Sequence, residues 1–527
     1  MLEKQGGEIM AVSTESVQSG RNGIINYLIG NVEAQGKRPL KVFGGFILAW
    51  AAFFLIWKIL PNPEGLSDNG MAVLAIVVWA SVMWVSDAMP VGITGISVPT
   101  LLLLTEGIPW KDGKPPMDIV FSGFTKHVVW LCLFAFFVGA IMQILKLDKR
   151  IALGILDKLK ASDVGRVIWG MFFVNIVLAF LIPAANARAA TLLPVVKGIT
   201  NLMGDTPEER EARKAIVIQS LVYGTMICGV FIMTAHLPNL IMIGIFGSNG
   251  FPNLGYLDWM LLQFPYLGMF VLTQWWVRYH FKTKGVKVGG GHQAIQRQYR
   301  ELGPMQPAEW VLLGIFAFVA FLFMLGKGSP IFELHNYQLG IISLVGLFFL
   351  FAPGILPCTW KQVQEKTIWG TFLLLGGAIT MTAAMTKSGL AGWLADGIHE
   401  FVMDMSWWQA VLTLMLGTHV IRIGMLSNVA AIAMLAPVVF AMAPKLGLHP
   451  VSFTLLVCDT DTYAYLLPTQ ITAAVIAYGS DEFSIADYAK SGWVCILIAI
   501  AYGILVMAPW YAFLGIPVWD GSAPWPY

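Results

Sequence analysis

The sequence predicts an all-α polytopic membrane protein with about eleven transmembrane helices and two re-entrant helical hairpins, arranged as an inverted repeat. Three observations predict it. The 527 residues are 57% hydrophobic and only 12% charged, with a mean hydropathy of +0.70, so charges are too few to clothe a soluble globule of this size. Apolar windows long enough for a ~30 Å hydrocarbon core, at ~1.5 Å per residue, recur along the chain. Two further apolar stretches, 178–196 (LAFLIPAANARAATLLPVV) and 420–439 (VIRIGMLSNVAAIAMLAPVV), are broken midway by a loop carrying an Asn, in corresponding places in the two halves. Polar groups at bilayer depth are costly unless they are satisfied within the protein or line a cavity, so a matched pair of breaks points to a binding site.

In chain order, residues 1–41 form a polar N-terminal tail with neither the apolar core nor the cleavage site of a signal peptide. Residues 42–69 hold the first span, and 70–281 a first repeat with a hairpin at 165–198. A linker at 282–307, a second repeat at 308–516 with a hairpin at 407–441, and a short C-terminus at 517–527 complete the chain. The spans are expected near 42–60, 70–89, 91–107, 127–146, 214–246, 257–281, 308–327, 337–353, 368–386, 451–478 and 490–516. Stretches 147–161 and 386–403 have apolar residues at helical spacing among charges and are expected to lie in the membrane plane. The linker carries Gly289-Gly290-Gly291 without a preceding strand or a following Gly-Lys-Ser/Thr, the pattern of a flexible connection rather than a phosphate cradle.

Positive charge sets sidedness. Lys37, Arg38 and Lys41, then Lys146, Lys149 and Arg150, then Arg210, Arg213 and Lys214, then Lys282, Lys284, Lys287, Arg297 and Arg300 all fall on one face if each hairpin enters and leaves by the same side. The N-terminus is then cytoplasmic and the C-terminus external, in the plasma (inner) membrane. The first hairpin opens from the cytoplasm and the second from outside.

Composition also excludes. The formal net charge is +2 and the basic residues are scattered, so no nucleic-acid partner is expected. Cys132, Cys228, Cys358, Cys458 and Cys495 form no CxxC and are expected as small packing residues, not as disulfide or metal ligands. HExxH and GxSxG are absent, acids and histidines are dispersed, and the chain is expected to be neither an enzyme nor the holder of a cofactor.

The breaks hold the residues with chemistry. In the first, Pro183 ends a helix and 184–189 is expected to turn through small residues that let backbone amides approach an anion. Arg188 adds a permanent charge and a planar fork suited to carboxylate, sulfonate or sulfate. The second break, 424–431, offers the Ser427 hydroxyl and the Asn428 amide, with His419 and Arg422 on the arm before it. The span after each hairpin is itself interrupted, at Thr234-Ala235-His236-Leu237-Pro238-Asn239 and at Leu467-Pro468-Thr469-Gln470, where a proline frees a carbonyl. Asp459 and Asp461 lie in an apolar span two residues apart, so they can share one site only if the helix unwinds there.

These residues resemble the divalent anion:sodium symporters, with their sodium-independent di- and tricarboxylate exchanger branch, within the ion transporter superfamily. The resemblance covers about 70–516. Pro183-Ala184-Ala185-Asn186-Ala187-Arg188-Ala189 is similar to the exchangers' Pro-Ser-Asn-Thr-Ala-Arg-Ala run, and Ser427-Asn428-Val429 to the Ser-Asn-Thr of the second tip. Thr234-Ala235 followed by Pro238-Asn239, and Tyr463-Ala464-Tyr465-Leu466-Leu467-Pro468, are similar to the interrupted spans. With Arg188 fixing the register, Ala185 stands at the family's Asn and Asn186 at its Thr; matching Asn to Asn needs a shift by one. Val429 replaces the second Thr.

The resemblance implies a secondary transporter of small organic anions, most closely di- or tricarboxylates, moving by an elevator-type alternating-access mechanism as exchanger or cation-coupled symporter. It also implies a homodimer. Asn186, Ala187, Arg188, Thr234, Ser427, Asn428, Val429, Pro468 and Thr469 are the candidate substrate contacts. Asn186, Asn428, Asp459 and Asp461 are the candidates for coupling to sodium or a proton. The alternatives are a sulfonate or sulfate transporter of the same fold, or a cation/proton antiporter using Asp459 and Asp461.

Overall fold

The computed structural model describes residues 20–34, 37–110, 113–251, 254–288, 291–325, 339–425 and 427–527. Helices α1 (Gly20–Ala34), α2 (Pro39–Phe54, extended by a π-helical turn to Ile59), α3 (Asp68–Ser86) and α4 (Val91–Leu104) come first. Then α5 (His127–Leu145) and α6 (Leu147–Lys158) lead to the pair α7 (Val164–Leu181) and α8 (Ala185–Thr200). Next are α9 (Pro207–Phe231, with a π-helical turn at Ile218–Tyr223), α10 (Leu237–Ser248), α11 (Tyr256–Gln263) and α12 (Tyr266–His280). After α13 (Gly291–Glu301) the order recurs: α14 (Pro307–Leu325), α15 (Leu339–Leu350), α16 (Trp369–Lys387) and α17 (Leu390–Val402). The pair α18 (Trp407–Arg422) and α19 (Asn428–Met442) follows, then α20 (Pro450–Asp461), α21 (Thr472–Tyr478) and α22 (Ile485–Phe513). Among the described residues there is no β-strand, and an isolated bridge joins Asp163 to Lys287.

The molecule is an all-α membrane protein, and eight helical stretches among the described residues are long and apolar enough to cross a bilayer. Several expected spans are shorter or divided. The window 451–478 is two helices, α20 and α21; 214–246 divides between α9 and α10; 257–281 breaks at Phe264-Pro265, between α11 and α12. The first two divisions fall at the interruptions expected at 467–470 and 234–239, whereas the third, at Phe264-Pro265, lies in a run whose apolar residues hide it from hydropathy. The start of the chain is also corrected: α1 lies within the expected tail, and α2 begins at Pro39 rather than at 42, since proline suits a helix's first position. Residues 1–19 of that tail, Gly289 and Gly290, Leu426 of the second break, and 326–338 between two expected spans lie outside the described residues.

Local chemistry starts the helices where they start. Asp163 accepts from Arg166 N at the head of α7, Thr206 and Glu209 form a reciprocal cap on α9, and Ser406 and Gln409 do the same on α18. Turns into α6 and α17 both pass through a left-handed residue, Lys146 (φ 59°) and Gly389 (φ 80°). That shared device accompanies a shared packing plan. α4 packs on α16, and its counterpart α15 packs on α5. α8 packs on α21, and its counterpart α19 packs on α10. Each hairpin's descending arm is therefore seated against the interrupted span of the other half. The α4–α16 crossing is close enough that a Cβ on Gly95 would come within 2.8 Å of the Leu374 Cα, so small residues bring the two backbones together.

The linker, whose Gly289 and Gly290 lie outside the described residues, also carries a docked helix that its glycines and charges do not predict. Its middle part is α13, which packs on α6, with Ile295 fully buried and His292 Nε2 2.7 Å from Asp157 Oδ1. Val288 N donates to Ser162 O at 3.0 Å, and Arg150 on α6 pairs with the buried Glu309 at the head of α14 at 2.7 Å. One amphipathic face, spaced for a helix, outweighs the composition.

Candidate substrate and coupling site

The first break is shorter than expected. Only Ile182, Pro183 and Ala184 leave the helical conformation, and α8 begins at Ala185. Asn186, Ala187 and Arg188 therefore sit in the first turn of a helix rather than in a loop. Proline cannot continue α7, and the extended Ala184 (φ −117°, ψ 127°) turns the chain into α8 with no side chain to cap it. Asn186 and Ala187 are half-buried, and the Asn186 side chain makes no hydrogen bond among the described residues.

Arg188 is fully buried and points into the protein. Its Nη1 donates to Ile182 O at 2.8 Å and Ala235 O at 2.7 Å, and its Nη2 donates to Thr225 O at 2.9 Å. The guanidinium thus ties the hairpin tip to the break between α9 and α10. Its Nε is buried without a partner, and no carboxylate among the described residues lies within ion-pair reach. Gly229 makes room for it: a Cβ there would stand 3.0 Å from Arg188 Nη2. On the other side, the π-helical turn of α9 leaves Ser220 O free to accept from Asn175 Nδ2 of α7 at 2.9 Å, which fixes the ascending arm.

The second break has the same plan with different chemistry. Ser427 is the N-cap of α19, its hydroxyl accepting from Ala430 N at 3.3 Å, and Asn428 is the first helical residue. Ala184 is thus the positional counterpart of Ser427, and Ala185 of Asn428. Asn428 Oδ1 accepts from Arg422 Nη2, which also donates to Gln470 O at 2.7 Å, while Arg422 Nη1 donates to Met425 O at 3.4 Å. Gln470 completes the clasp: its Nε2 donates to Arg422 O at 3.0 Å, and its Oε1 accepts from Leu466 N and Leu467 N at 3.0 and 2.7 Å. Unlike Arg188, Arg422 has an acid, its Nε lying 3.5 Å from Asp461 Oδ2 with both side chains fully buried.

The two halves meet at Asn428 and His236. Because Arg422 claims Asn428 Oδ1, the Nδ2 must face His236 Nε2 at 3.3 Å, which makes that nitrogen the acceptor and leaves the imidazole proton on Nδ1. Ala235, the residue before His236, supplies a carbonyl to Arg188. One short break thus touches the arginine of the first hairpin and the asparagine of the second.

The interrupted spans match each other residue for residue. In one, extended Ile232, a 3₁₀ turn at Met233–Ala235 and extended His236 lead into α10. In the other, extended Leu467, a 3₁₀ turn at Pro468–Gln470 and extended Ile471 lead into α21. Thr234 and Thr469 hold the middle position of each turn, yet their surroundings differ. Thr469 is exposed beside the buried Pro468. Thr234 is buried, 3.1 Å from Tyr256 Oη, and lines an apolar cleft of about 260 Å³ between α5, α7, α11 and α14. Val429, 9% exposed, packs in the core at the second tip.

Asp459 and Asp461 do not share a site. α20 stays helical through Asp461, so the two carboxylates leave it on different flanks, Asp461 toward Arg422 and Asp459 toward Gln263, whose Nε2 donates to it at 2.8 Å.

Residues 44–517 match the family described as the sodium:sulfate symporter transmembrane region. The chain belongs to that family. It is 27% identical over 495 residues to a membrane protein of Cupriavidus necator, covering 90% of this chain and 94% of that one. It is 25% identical over 478 residues to the sodium-dependent dicarboxylate transporter SdcS of Staphylococcus saprophyticus, covering 86% and 88%. Among solved structures, MtrF of Neisseria gonorrhoeae resembles it in fold with a TM-score of 0.54 at 12% identity, covering 90% of this chain and 99% of MtrF. The protein is accordingly a membrane transporter of anions and not an enzyme, and the symporter family contains sodium-dependent members.

Sequence reasoning names Gln470 only as part of the second interruption, without a role, and misses Gln263, a lone amide in an apolar run, which is the signal that marks it. The carbonyls of Ile182, Thr225 and Ala235 leave no such signal, because any residue supplies one.

Proposed function

We propose that this chain is a secondary transporter of small organic anions, di- or tricarboxylates, which it holds between the two hairpin tips. One observation carries the reading: Arg188 places a permanent positive charge in the membrane interior with no acid within ion-pair reach among the described residues. Its hydrogen bonds go to neutral carbonyls, which solvate the charge without cancelling it, and a bound anion supplies the counter-charge. The uncapped first turn of α8 adds free amides and the positive end of a helix dipole. Asn186, Ala187, Ser427 and the exposed Thr469 supply groups that a ligand can reach, while Asn428 is held in place by Arg422.

Backbone oxygens at a hairpin tip and a broken helix are also the groups that hold Na⁺ in transporters of this design. Here a guanidinium fills both sets, Arg188 the first and Arg422 the second. The relative named above is sodium-dependent by its name; in this chain the resident arginines take over the charge, which favours exchange or proton coupling over sodium symport. Because Asp459 and Asp461 point apart, a cation/proton antiporter built on that pair lacks a shared site.

The reciprocal seating of α8 on α21 and α19 on α10 makes both hairpins and both interrupted spans one block. That supports an elevator in which the block moves against a scaffold, in a homodimer with the N-terminus cytoplasmic and the C-terminus outside. Thermal stability of the purified protein tests the core of this reading against succinate, citrate, sulfate and an alkyl sulfonate, in sodium and in choline. A dicarboxylate is expected to raise the Tm equally in both salts, and Arg188→Gln to lose the shift. A response to none of the four anions overturns the anion site; a shift that requires sodium overturns the resident-charge reading; a larger shift from sulfate names the ligand instead.

A further inference from the structure

The anion reading uses Arg188, Arg422 and Asp461 and leaves the fully buried Asp459 unexplained. Asp459 is fully buried, accepts one hydrogen bond on Oδ2 from Gln263 Nε2 at 2.8 Å, and has no partner on Oδ1. Gln263 is itself held by the Tyr511 hydroxyl, which donates to its Oε1 at 3.2 Å. Two more fully buried hydroxyls, on Tyr266 and Tyr463, stand beside Asp459 without partners, their ring centroids 6.0 Å apart.

The elements around this pocket supply no cation to Asp459. α10 and α19 carry no titratable side chain. α18 brings His419 and Arg422, and the guanidinium of Arg422 is spent on Asp461, Asn428 and Gln470. α11 brings Gln263, α12 Tyr266, and α22 Tyr502 and Tyr511, with the Tyr502 hydroxyl donating to Pro265 O at 2.6 Å. α20 itself adds Cys458 and Asp461. Among the described residues no Lys, Arg or His lies within ion-pair reach of Asp459. An ionised carboxylate kept from water with one amide donor is not compensated, whereas a protonated one is a neutral donor beside hydroxyl oxygens.

We propose that Asp459 is a proton-binding site that links anion movement to one proton. The inference rests on the anion reading for its coupling, and on the pocket alone for its protonation. Asp461 and Arg422 cancel, so a neutral Asp459 leaves the site region at +1 from Arg188, and an ionised Asp459 leaves it at zero. Protonation therefore favours loading of an anion and deprotonation favours its release. The proton is taken from water on the loading side and returned to water on the other, with one O–H bond formed and later broken.

Two measurements on the full chain in lipid test this. The first needs no anion: the infrared difference between wild type and Asp459→Asn at neutral pH is expected to show the C=O stretch of a protonated carboxyl that the variant lacks. Absence of that band overturns the proposal. Asn can still accept from Gln263 Nε2, so the variant preserves the packing. The second uses succinate in proteoliposomes with the membrane potential clamped and a one-unit pH gradient, alkaline inside. Wild type is expected to accumulate succinate up to about tenfold, and Asp459→Asn to keep succinate exchange while losing the accumulation. Accumulation that survives in the variant overturns the proposal, as does wild-type exchange that ignores the gradient while the anion reading stands. An intact infrared band with no succinate exchange supports the proton site and counts against the dicarboxylate reading.

Discussion

The two hairpin tips are built on one plan and differ in how they manage charge. At the first, Arg188 stands on the descending arm, takes three backbone carbonyls and has no acid; at the second, Arg422 stands on the ascending arm and is paired with Asp461. The first helix is uncapped at Ala184, while the second is capped by Ser427. The shared backbone plan thus carries two different charge arrangements. The second tip balances its own charge, Arg422 against Asp461. The first keeps a net charge and an uncapped helix start, the two features on which the proposed anion site rests.

The largest effect that can break this comparison is expected from Arg188→Met, which orphans three carbonyls at ~1–3 kcal/mol each and removes the unmatched charge. Chemical unfolding in detergent should show a loss of about 5 kcal/mol, and anion-dependent thermal stabilisation should vanish; retention of that stabilisation would contradict the contrast between the tips. Next, Arg422→Leu and Asp461→Leu should each cost about 3–5 kcal/mol by stranding a buried charge. The double variant should cost less than either single one, and simple additivity would show that the pair is not a unit. No such rescue by an acid-to-Leu change is expected at the first tip.

A smaller effect comes from Gly229→Ala. Its Cβ would press on Arg188 Nη2 at 3.0 Å, for a cost of about 1–3 kcal/mol and a weaker apparent anion affinity. The smallest pair sharpens the contrast in capping. Ser427→Ala should lower stability by ~1 kcal/mol, and Ala184→Ser should raise it by a similar amount while weakening anion binding, because the new hydroxyl would occupy an amide otherwise open to a ligand. Equal loss at both positions would mean that the tips do not differ in the way described.

Much of this was legible in the residues. Pro183 and the asparagines inside apolar runs locate the hairpins to within a few positions, since nothing else explains polar groups there. The 3₁₀ turns at Met233–Ala235 and Pro468–Gln470 follow from prolines that interrupt otherwise continuous spans. The partners of Arg188 were not legible, because carbonyl acceptors carry no side-chain identity and are set by the path of the backbone. The separation of Asp459 from Asp461 depended on whether α20 unwinds, and their spacing cannot decide that. α13 was hidden by its composition: a seam as small as Ile295 and His292 is enough to dock a polar helix once a neighbour is close.

The crossed seating of each descending arm on the other half's interrupted span also bears on how the polypeptide is made. A ribosome that has released α8 has not yet synthesised α21, so the nascent first arm must wait in the bilayer without its bedding. Neither half can mature alone, and a transcript cut within the linker should yield two fragments that each fall to membrane quality control unless they are produced together.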